Sequence, residues 1–471
     1  MLDFTGSYTD QYQLAMGQVF FLKKTHNTIA TFDYFFRKLP FKGGFAIFAG
    51  LENVLEVLET LKFDEKDLDL LKAEGFDPDY LEYLRDFRFT GKIYSVREGD
   101  VVFQTEPIVR VEANIIEAQI IETFLLNMLN FQTLIATKAR RTALQAKGRT
   151  LIDFGLRRAQ ATGGYYASRA AVIGGFVGTS NTRAGRDFGI PVSGTMSHSF
   201  IQSYEDELTA FREFAEINPE NSILLVDTYN TLESGVPNAI IVGKEMQQRG
   251  QSLKAVRLDS GDLAYLSRKT RQMLDEAGLP EVKISVSNQL DEFLIKSLLE
   301  QDAPIDIFGV GTNLVTGKPD AALDGVYKLS YFNDRPSIKL SETIEKVTLP
   351  HKKQVFRMLD EKGNFAGADV ITVADEKAPL NMLHPFDPLK TLSLDTFQKE
   401  PLLQLVMDNG KRTTAPQSLE EIKTYSEERL AKLPMEYKRF FNPHIYKIGL
   451  SVLLKQERDK ILKEHKMKAA L

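Results

Sequence analysis

Residues 253–262 read LKAVRLDSGD. An apolar run (Ala255, Val256, Leu258) carrying a single Arg257 stops abruptly at Asp259, Ser260, Gly261 and Asp262, as a buried strand does when it meets a polar turn. The same pattern recurs in TLIDFG (150–155), FVGTS (176–180), GTMSHSF (194–200), SILLVDTYN (222–230), VKISVSN (282–288) and IDIFGVGT (305–312). Helix-length segments lie between these runs, one of them through ASRAAVIGG (167–175). Such alternation predicts βα units on a parallel sheet, and about seven runs predict an irregular, TIM-like α/β barrel. Asp153, Asp227, Arg257, Asp259, Ser287, Asn288 and the stretch 309–313 all stand where a run ends. In a (β/α) barrel those strand ends form the active-site face.

Outside this region the regularity is lost. Residues 1–148 mix helical patterns (LENVLEVLETLKF, 51–63) with KIYSVREGDVVFQTEPIVRVEA (92–113), which reads as a hairpin or meander. An amphipathic helix is expected from Ile115 to Ala146, broken once near 130–132. After the barrel region, 149–328, the segment YFNDRPSIKLSETIEKVTLPHKKQVFRML (331–359) again predicts an antiparallel meander. The expected organisation is therefore a barrel plus a mixed α+β domain, the latter built from 1–148 and the returning segment 329–471. The charged tail, SLEEIKTYSEERLAKL (418–433) and VLLKQERDKILKEHKMKAA (452–470), reads as solvated capping helices.

Composition narrows the function. The 471 residues are 43% hydrophobic and carry 59 Lys plus Arg against 64 Asp plus Glu, a formal net charge of -5. That balance disfavours a nucleic-acid or membrane-surface protein. The most apolar stretches are interrupted by Glu before reaching the roughly 18 clean residues of a membrane span, and no signal peptide is indicated, so a cytoplasmic enzyme is expected. With no Cys, disulfides, thiolate metal sites and a cysteine nucleophile are excluded.

Several common motifs are missing. The nearest approach to a phosphate-binding Walker loop, 311–318, is one residue too long and is followed by Pro319 in place of Ser or Thr. Neither GxGxxG, HExxH nor GxSxG is present. The six His are scattered, which argues against a His-rich metal site. Lys254 and Lys283 fall at strand beginnings, the wrong end for a Schiff base.

The remaining candidates sit at strand ends. His198 is the one His of the βα region, among Ser193, Thr195, Ser197 and Ser199; it reads either as a structural His at the barrel rim or as a group beside phosphate oxygens. DFGLRR places Asp153, Phe154, Arg157 and Arg158 past a strand, where Arg suits phosphate or carboxylate and a salt-bridged loop is the alternative. Arg257, Asp259 and Asp262 share one turn, whose carboxylates suit sugar hydroxyls or Mg²⁺, while Asp262 also reads as a helix N-cap. Gly309, Gly311 and Thr312 either let backbone N–H groups approach a phosphate or form a tight turn. Together these loops describe a sugar-phosphate substrate on a barrel's top face.

In series, DFGLRRAQ, GTSNTRAG, GTMSHSF and RLDSGDL, with the opening YTDQYQLAMG, resemble the nicotinate phosphoribosyltransferase family. The resemblance covers most of the chain and thins toward the C-terminus. It implies a type II phosphoribosyltransferase with an irregular α/β barrel. The implied reaction joins nicotinate to phosphoribosyl pyrophosphate, giving nicotinate mononucleotide and pyrophosphate in NAD salvage. Coupling to ATP hydrolysis would make it a ligase-type enzyme. By that resemblance His198 is the phosphorylated histidine, and Mg²⁺ arrives on the substrate phosphates, with Asp259 as a nearby carboxylate. Phe154 and Tyr12 sandwich the pyridine ring, Tyr12 coming from a partner subunit, so a homodimer with shared active sites is implied. Arg257 partners the nicotinate carboxylate, Arg157 and Asp259 approach the ribose or its phosphate, and Ser287, Asn288, Gly309, Gly311 and Thr312 surround the product phosphate.

Two positions separate sibling substrates. The related nicotinamide enzymes carry GTD where this sequence has Gly178, Thr179 and Ser180; Asp accepts from an amide but repels a carboxylate, whereas Ser180 can donate to one. Nicotinate is favoured, and nicotinamide is the alternative. In the helix ETFLLNMLNFQTLIAT, Thr123 stands where quinolinate enzymes place an Arg for a second carboxylate, which disfavours quinolinate. A sugar-phosphate isomerase or lyase with His198 as acid–base is the more distant reading.

Overall fold

The computed structural model describes residues 4–341 and 347–469. They form two compact units: unit 1, residues up to 134 joined with those from 322 onward, and unit 2, residues 135–321.

Unit 2 is the α/β unit that the strand pattern predicts. Its strands are β1 (Thr150–Asp153), β2 (Gly178–Thr179), β3 (Ile223–Leu225), β4 (Ala255–Leu258), β5 (Lys283–Val286) and β6 (Ile307–Val310). They make one curled sheet in the order β2-β1-β6-β5-β4-β3, with parallel pairing throughout. Helices cover the sheet, so its strands are near-continuous apolar runs. Four of the helices begin where the sequence supplies an acceptor for their first unpaired N–H groups. Asn181 caps Thr182–Phe188, Asp206 caps Glu207–Ile217, Asp262 caps Leu263–Glu276 and Asp291 caps Glu292–Glu300.

The seventh run, GTMSHSF, departs from expectation. It contributes no strand; Val192 makes one isolated parallel bridge to Thr179, and His198 opens the short helix His198–Gln202. Pro191 lies just before the run and Gly194 opens it, and both residue types weaken a central strand.

In unit 1 a seven-stranded sheet interleaves both ends of the chain. Ile29–Phe36 pairs antiparallel with Gly325–Phe332 on one side and Val109–Asn114 on the other. Val109–Asn114 pairs in turn with Lys92–Ser95, and Gln404–Asp408 extends that edge. A second, six-stranded sheet is entirely C-terminal and includes the antiparallel pair Lys353–Leu359 and Phe365–Val373. Part of the expected meander, residues 342–346, lies outside the described residues.

The division between units falls inside the helix Glu122–Ala146. That helix is continuous through 130–132; the interruption lies at Ile121, after the helix Ile115–Ile120. The polar residues expected to break it are bonded elsewhere: Asn130 Oδ1 accepts from the Tyr34 hydroxyl (2.9 Å) and Gln132 donates to Asn53 (3.1 Å). By length and hydropathy 115–146 would reach across a membrane, yet 67% of its most apolar window is buried in protein, as in a core helix.

Candidate active site at the strand ends

The polar groups converge where β3, β4 and β5 end. β4 delivers Arg257 and, one residue past the strand, Asp259. The Arg257 guanidinium donates to Thr195 Oγ1, while its Nε is buried without a partner. Burial holds this guanidinium below its ordinary pKa; Asp259 and Asp227 oppose that effect, and Arg157 adds to it. Asp227, from the end of β3, accepts from the Asp259 N–H (2.8 Å) and the Ser260 hydroxyl (2.6 Å) through one oxygen. Its other oxygen is buried without a partner.

His198 faces the same turn. Its Nδ1 lies 3.1 Å from Thr228 Oγ1 and its Nε2 lies 3.8 Å from Asp259 Oδ2. The other Asp259 oxygen accepts from the Ser287 hydroxyl. Residues from three strand ends and one helix start are thus connected, with one guanidinium nitrogen and one carboxylate oxygen left over. An unpaired buried polar atom costs stability, so this is a place prepared for a ligand. The geometry suits a substrate with both an anionic group for Arg257 and hydroxyl or phosphate oxygens for the Asp, Ser and Thr side chains.

At the β1 end, the Phe154 ring covers Gly309: a Cβ there would lie 2.4 Å from the ring, and one at Gly311 would lie 3.0 Å from the Phe154 carbonyl oxygen. Neither glycine has a positive φ. Both are needed for close approach, with the observed neighbour being Phe154. Thr312 opens the short helix Thr312–Val315. Asn288 is exposed and left-handed (φ 85°). Arg157 lies on the one-turn helix Leu156–Arg158 and is exposed. Thr179 is buried, and its hydroxyl is engaged by Asp153 (2.8 Å) and by the Asn181 N–H (3.0 Å); Ser180, the next residue, is half-buried.

Tyr12 stands on the helix Gln11–Leu22 of unit 1 with 51% of its surface exposed. In the same unit Thr123 is bound to Asp10, donating to its carboxylate at 2.8 Å.

Lys138, Arg140 and Arg141 belong to the helix Glu122–Ala146. All are buried. Lys138 and Arg141 pair with Glu292 (2.5 and 3.1 Å), and Arg140 donates to the Ile173 carbonyl. Thr228, the partner of His198, was missed in the sequence, and Asp227, placed there at a strand end without a role, is the tie beneath Asp259. Their position directly after the β3 run was the available signal. Also unforeseen is a cavity of about 990 Å³ in unit 1, lined in part by Arg37, Lys328, Lys390 and Lys447. Burial lowers the Lys328 pKa there, and nearby Lys339 and Arg37 lower it further against the pull of Glu122.

Among the described residues no three His, Asp or Glu side chains converge as a metal cage. Asp227, with its spare oxygen, and Asp259 instead fit a Mg²⁺ that brings phosphate ligands with it, which needs only one or two protein carboxylates.

Comparison with known proteins agrees with this geometry. A sequence profile of the nicotinate phosphoribosyltransferase (NAPRTase) family matches residues 150–376, and profiles of the enzyme's N-terminal and C-terminal domains match 8–130 and 352–458. The nicotinate phosphoribosyltransferase of Bacillus subtilis is 44% identical over 454 residues, covering 94% of this chain and 92% of that protein. The Caenorhabditis elegans protein of the same name is 34% identical over 516 residues, covering 95% and 92%. The crystal structure of human nicotinic acid phosphoribosyltransferase matches with a TM-score of 0.85 at 28% identity, covering 96% of this chain and 99% of that one. Curled parallel sheet, strand-end polar cluster and full-length similarity thus converge: the chain belongs to the nicotinate phosphoribosyltransferase family.

Proposed function

We propose that this chain condenses nicotinate with phosphoribosyl pyrophosphate to nicotinate mononucleotide and pyrophosphate, with ATP hydrolysis coupled through phosphorylation of His198. The observation that carries the reading is Arg257: a half-buried guanidinium at a strand end with an unpartnered Nε, next to His198 and Asp259. A pyridine carboxylate would complete it through charge-assisted hydrogen bonds.

With its carboxylate on Arg257 and its ring against Phe154, nicotinate would present its nitrogen to the ribose C1. Ser180 would donate to the carboxylate, where an Asp would repel it. As the C1–O bond to pyrophosphate breaks, positive charge develops on the ribose, and Asp259 is placed to stabilise it. Asp227 and Asp259 would hold a Mg²⁺ carried by the diphosphate, which would offset charge on the leaving group. Ser287, Asn288 and Thr312 then hold the product phosphate. If Thr228 accepts the Nδ1–H of His198, Nε2 is free to take the γ-phosphoryl group of ATP. ADP departs, and water later cleaves the P–N bond to release phosphate. The phosphoryl group adds charge and acceptor oxygens beside the diphosphate, so its presence biases binding and its hydrolysis favours release.

Tyr12 is half-exposed and would close the ring sandwich from a partner subunit. The enzyme would then be a cytoplasmic, ATP-dependent, ligase-type member of NAD salvage.

Purified protein with nicotinate, phosphoribosyl pyrophosphate, Mg²⁺ and ATP should form the mononucleotide; absence of product sinks the proposal. γ-Labelled ATP should label the wild type but not His198→Ala, which keeps a residual ATP-independent transfer. Label retained in His198→Ala refutes the phosphohistidine. An isomerase or lyase would transfer no label at all.

A further inference from the structure

Asp153 ends β1 with its carboxylate 1% exposed. The hydrogen bonds to it come from neutral donors: the Gly155 N–H, the Ser168 hydroxyl and the Thr179 hydroxyl, each at 2.8 Å. Its backbone carbonyl also accepts from the Ser180 N–H (2.8 Å). A buried carboxylate bound only by neutral donors is a costly device, and the fold does not need it to join these strands. The parallel ladder already pairs Ile152 with Gly178 and Asp153 with Thr179. That ladder ends at these two residues, and the carboxylate supplies order beyond it.

The segments beyond the ladder carry ligand-facing candidates. One Asp153 oxygen holds Gly155, between Phe154 and Arg157; the other holds Thr179, next to Ser180. Thr179 in turn receives the Asn181 N–H (3.0 Å), so its hydroxyl is fixed on both sides. The Phe154 N–H is bonded to the Val310 carbonyl (2.9 Å), which leaves the Asp153 bond to Gly155 to set the loop's other side.

We propose that Asp153 is the positioning residue of the pyridine subsite. It fixes the offset between the Phe154–Arg157 loop and Ser180, and it never touches substrate. This rests on the reading of Phe154 and Ser180 as ring and carboxylate contacts. Ser168 provides an internal control. It gives the carboxylate a bond of the same length and also accepts from the Thr179 hydroxyl at 3.2 Å, but it comes from the helix Thr162–Ile173, which carries no candidate ligand residue.

The test compares Thr179→Val with Ser168→Ala by deuterium exchange of the ligand-free protein and by steady-state kinetics, with Asp153→Asn and Asp153→Ala alongside. Thr179→Val should speed exchange in 179–181 and in 154–157, and should raise the KM for nicotinate about tenfold, as loss of one bond to a buried charge does. The KM for phosphoribosyl pyrophosphate should rise less than that for nicotinate, because of the groups assigned to it only Arg157 lies on the two segments that Asp153 ties. Ser168→Ala should raise the nicotinate KM much less than Thr179→Val does. Asp153→Asn, which keeps the shape and one acceptor, should recover most of what Asp153→Ala loses. Equal KM shifts in Thr179→Val and Ser168→Ala, or unchanged exchange in 179–181, would overturn the proposal. Wild-type protein inactive on nicotinate would count against the reading of the site, while the exchange data still decide whether Asp153 ties the two segments.

Discussion

Arg257 and Arg357 are both withdrawn from water, one at the end of a barrel strand and the other in the second sheet of unit 1, and their bonding is opposite. Arg357 is fully buried, and every nitrogen is used. Nε and one terminal nitrogen bind Asp369, the other terminal nitrogen binds Asp100 at 3.0 Å, and the Val101 carbonyl takes a further bond. Arg429 completes the cluster by joining Asp100 to Glu400. Arg257 has acidic neighbours as well, but its Nε is unpartnered, and so is one oxygen of Asp227. Saturated buried charge holds a structure together; charge left short of partners at a strand end waits for a ligand. The contrast distinguishes a saturated arginine in a core cluster from one at a strand end with bonding capacity left.

If that is right, removing the two arginines should fail differently. Arg357→Ala leaves Asp100 and Asp369 buried and underpaired, and should cost about 3–5 kcal/mol in urea unfolding, the largest effect expected here. Arg257→Ala removes a charge with less to lose, so unfolding should shift by no more than about 1 kcal/mol, while kcat/KM for nicotinate should fall about 100-fold, or ~2.7 kcal/mol. Comparable stability losses in the two variants would erase the distinction.

A smaller change sharpens the functional side. Ser180→Asp places a carboxylate at the ring subsite and should move the nicotinate-to-nicotinamide preference by about tenfold toward the amide, measured as the ratio of kcat/KM values. An unchanged ratio would remove Ser180 from the subsite.

The structural side has a pH signature of its own. Burial, with Asp369 nearby, raises the Glu106 carboxyl well above its ordinary value of 4.5, against the pull of Arg357. Its folded form therefore holds a proton that the unfolded chain releases, so this group's contribution to stability falls as pH rises from about 4.5 toward the folded pKa. Glu106→Gln, a neutral mimic, should match wild type in unfolding at acid pH and become the more stable protein as pH rises above that value. A difference that does not depend on pH would refute the protonated Glu106.

The barrel was legible because buried parallel strands are apolar to their ends, and an end marked by Asp, Arg or Ser is visible in one dimension. Arg257, Asp259, His198 and Ser287 were found in that way, and the structure joins them. What escaped depended on partners far along the chain. The sequence assigns Lys138 and Arg141 no partner because Glu292, their common counter-ion, comes about 150 residues later. Asn130 and Gln132 read as a helix break because Tyr34 and Asn53, which occupy their side chains, belong to earlier elements. GTMSHSF imitated its neighbours in polarity, and only its Pro and Gly hinted that no strand would form. The bond from Thr179 to Asp153 was equally invisible, since nothing in the sequence shows which oxygen a threonine will meet.

The most direct measurement is a substrate panel. Nicotinate, nicotinamide and quinolinate are each offered with phosphoribosyl pyrophosphate and Mg²⁺, with and without ATP, and mononucleotide and pyrophosphate are quantified. Arg257 and Ser180 predict turnover of nicotinate alone, and His198 predicts that ATP raises it with stoichiometric release of ADP. Preferential use of nicotinamide or quinolinate, or a rate indifferent to ATP with no ADP formed, would contradict the roles given to these residues.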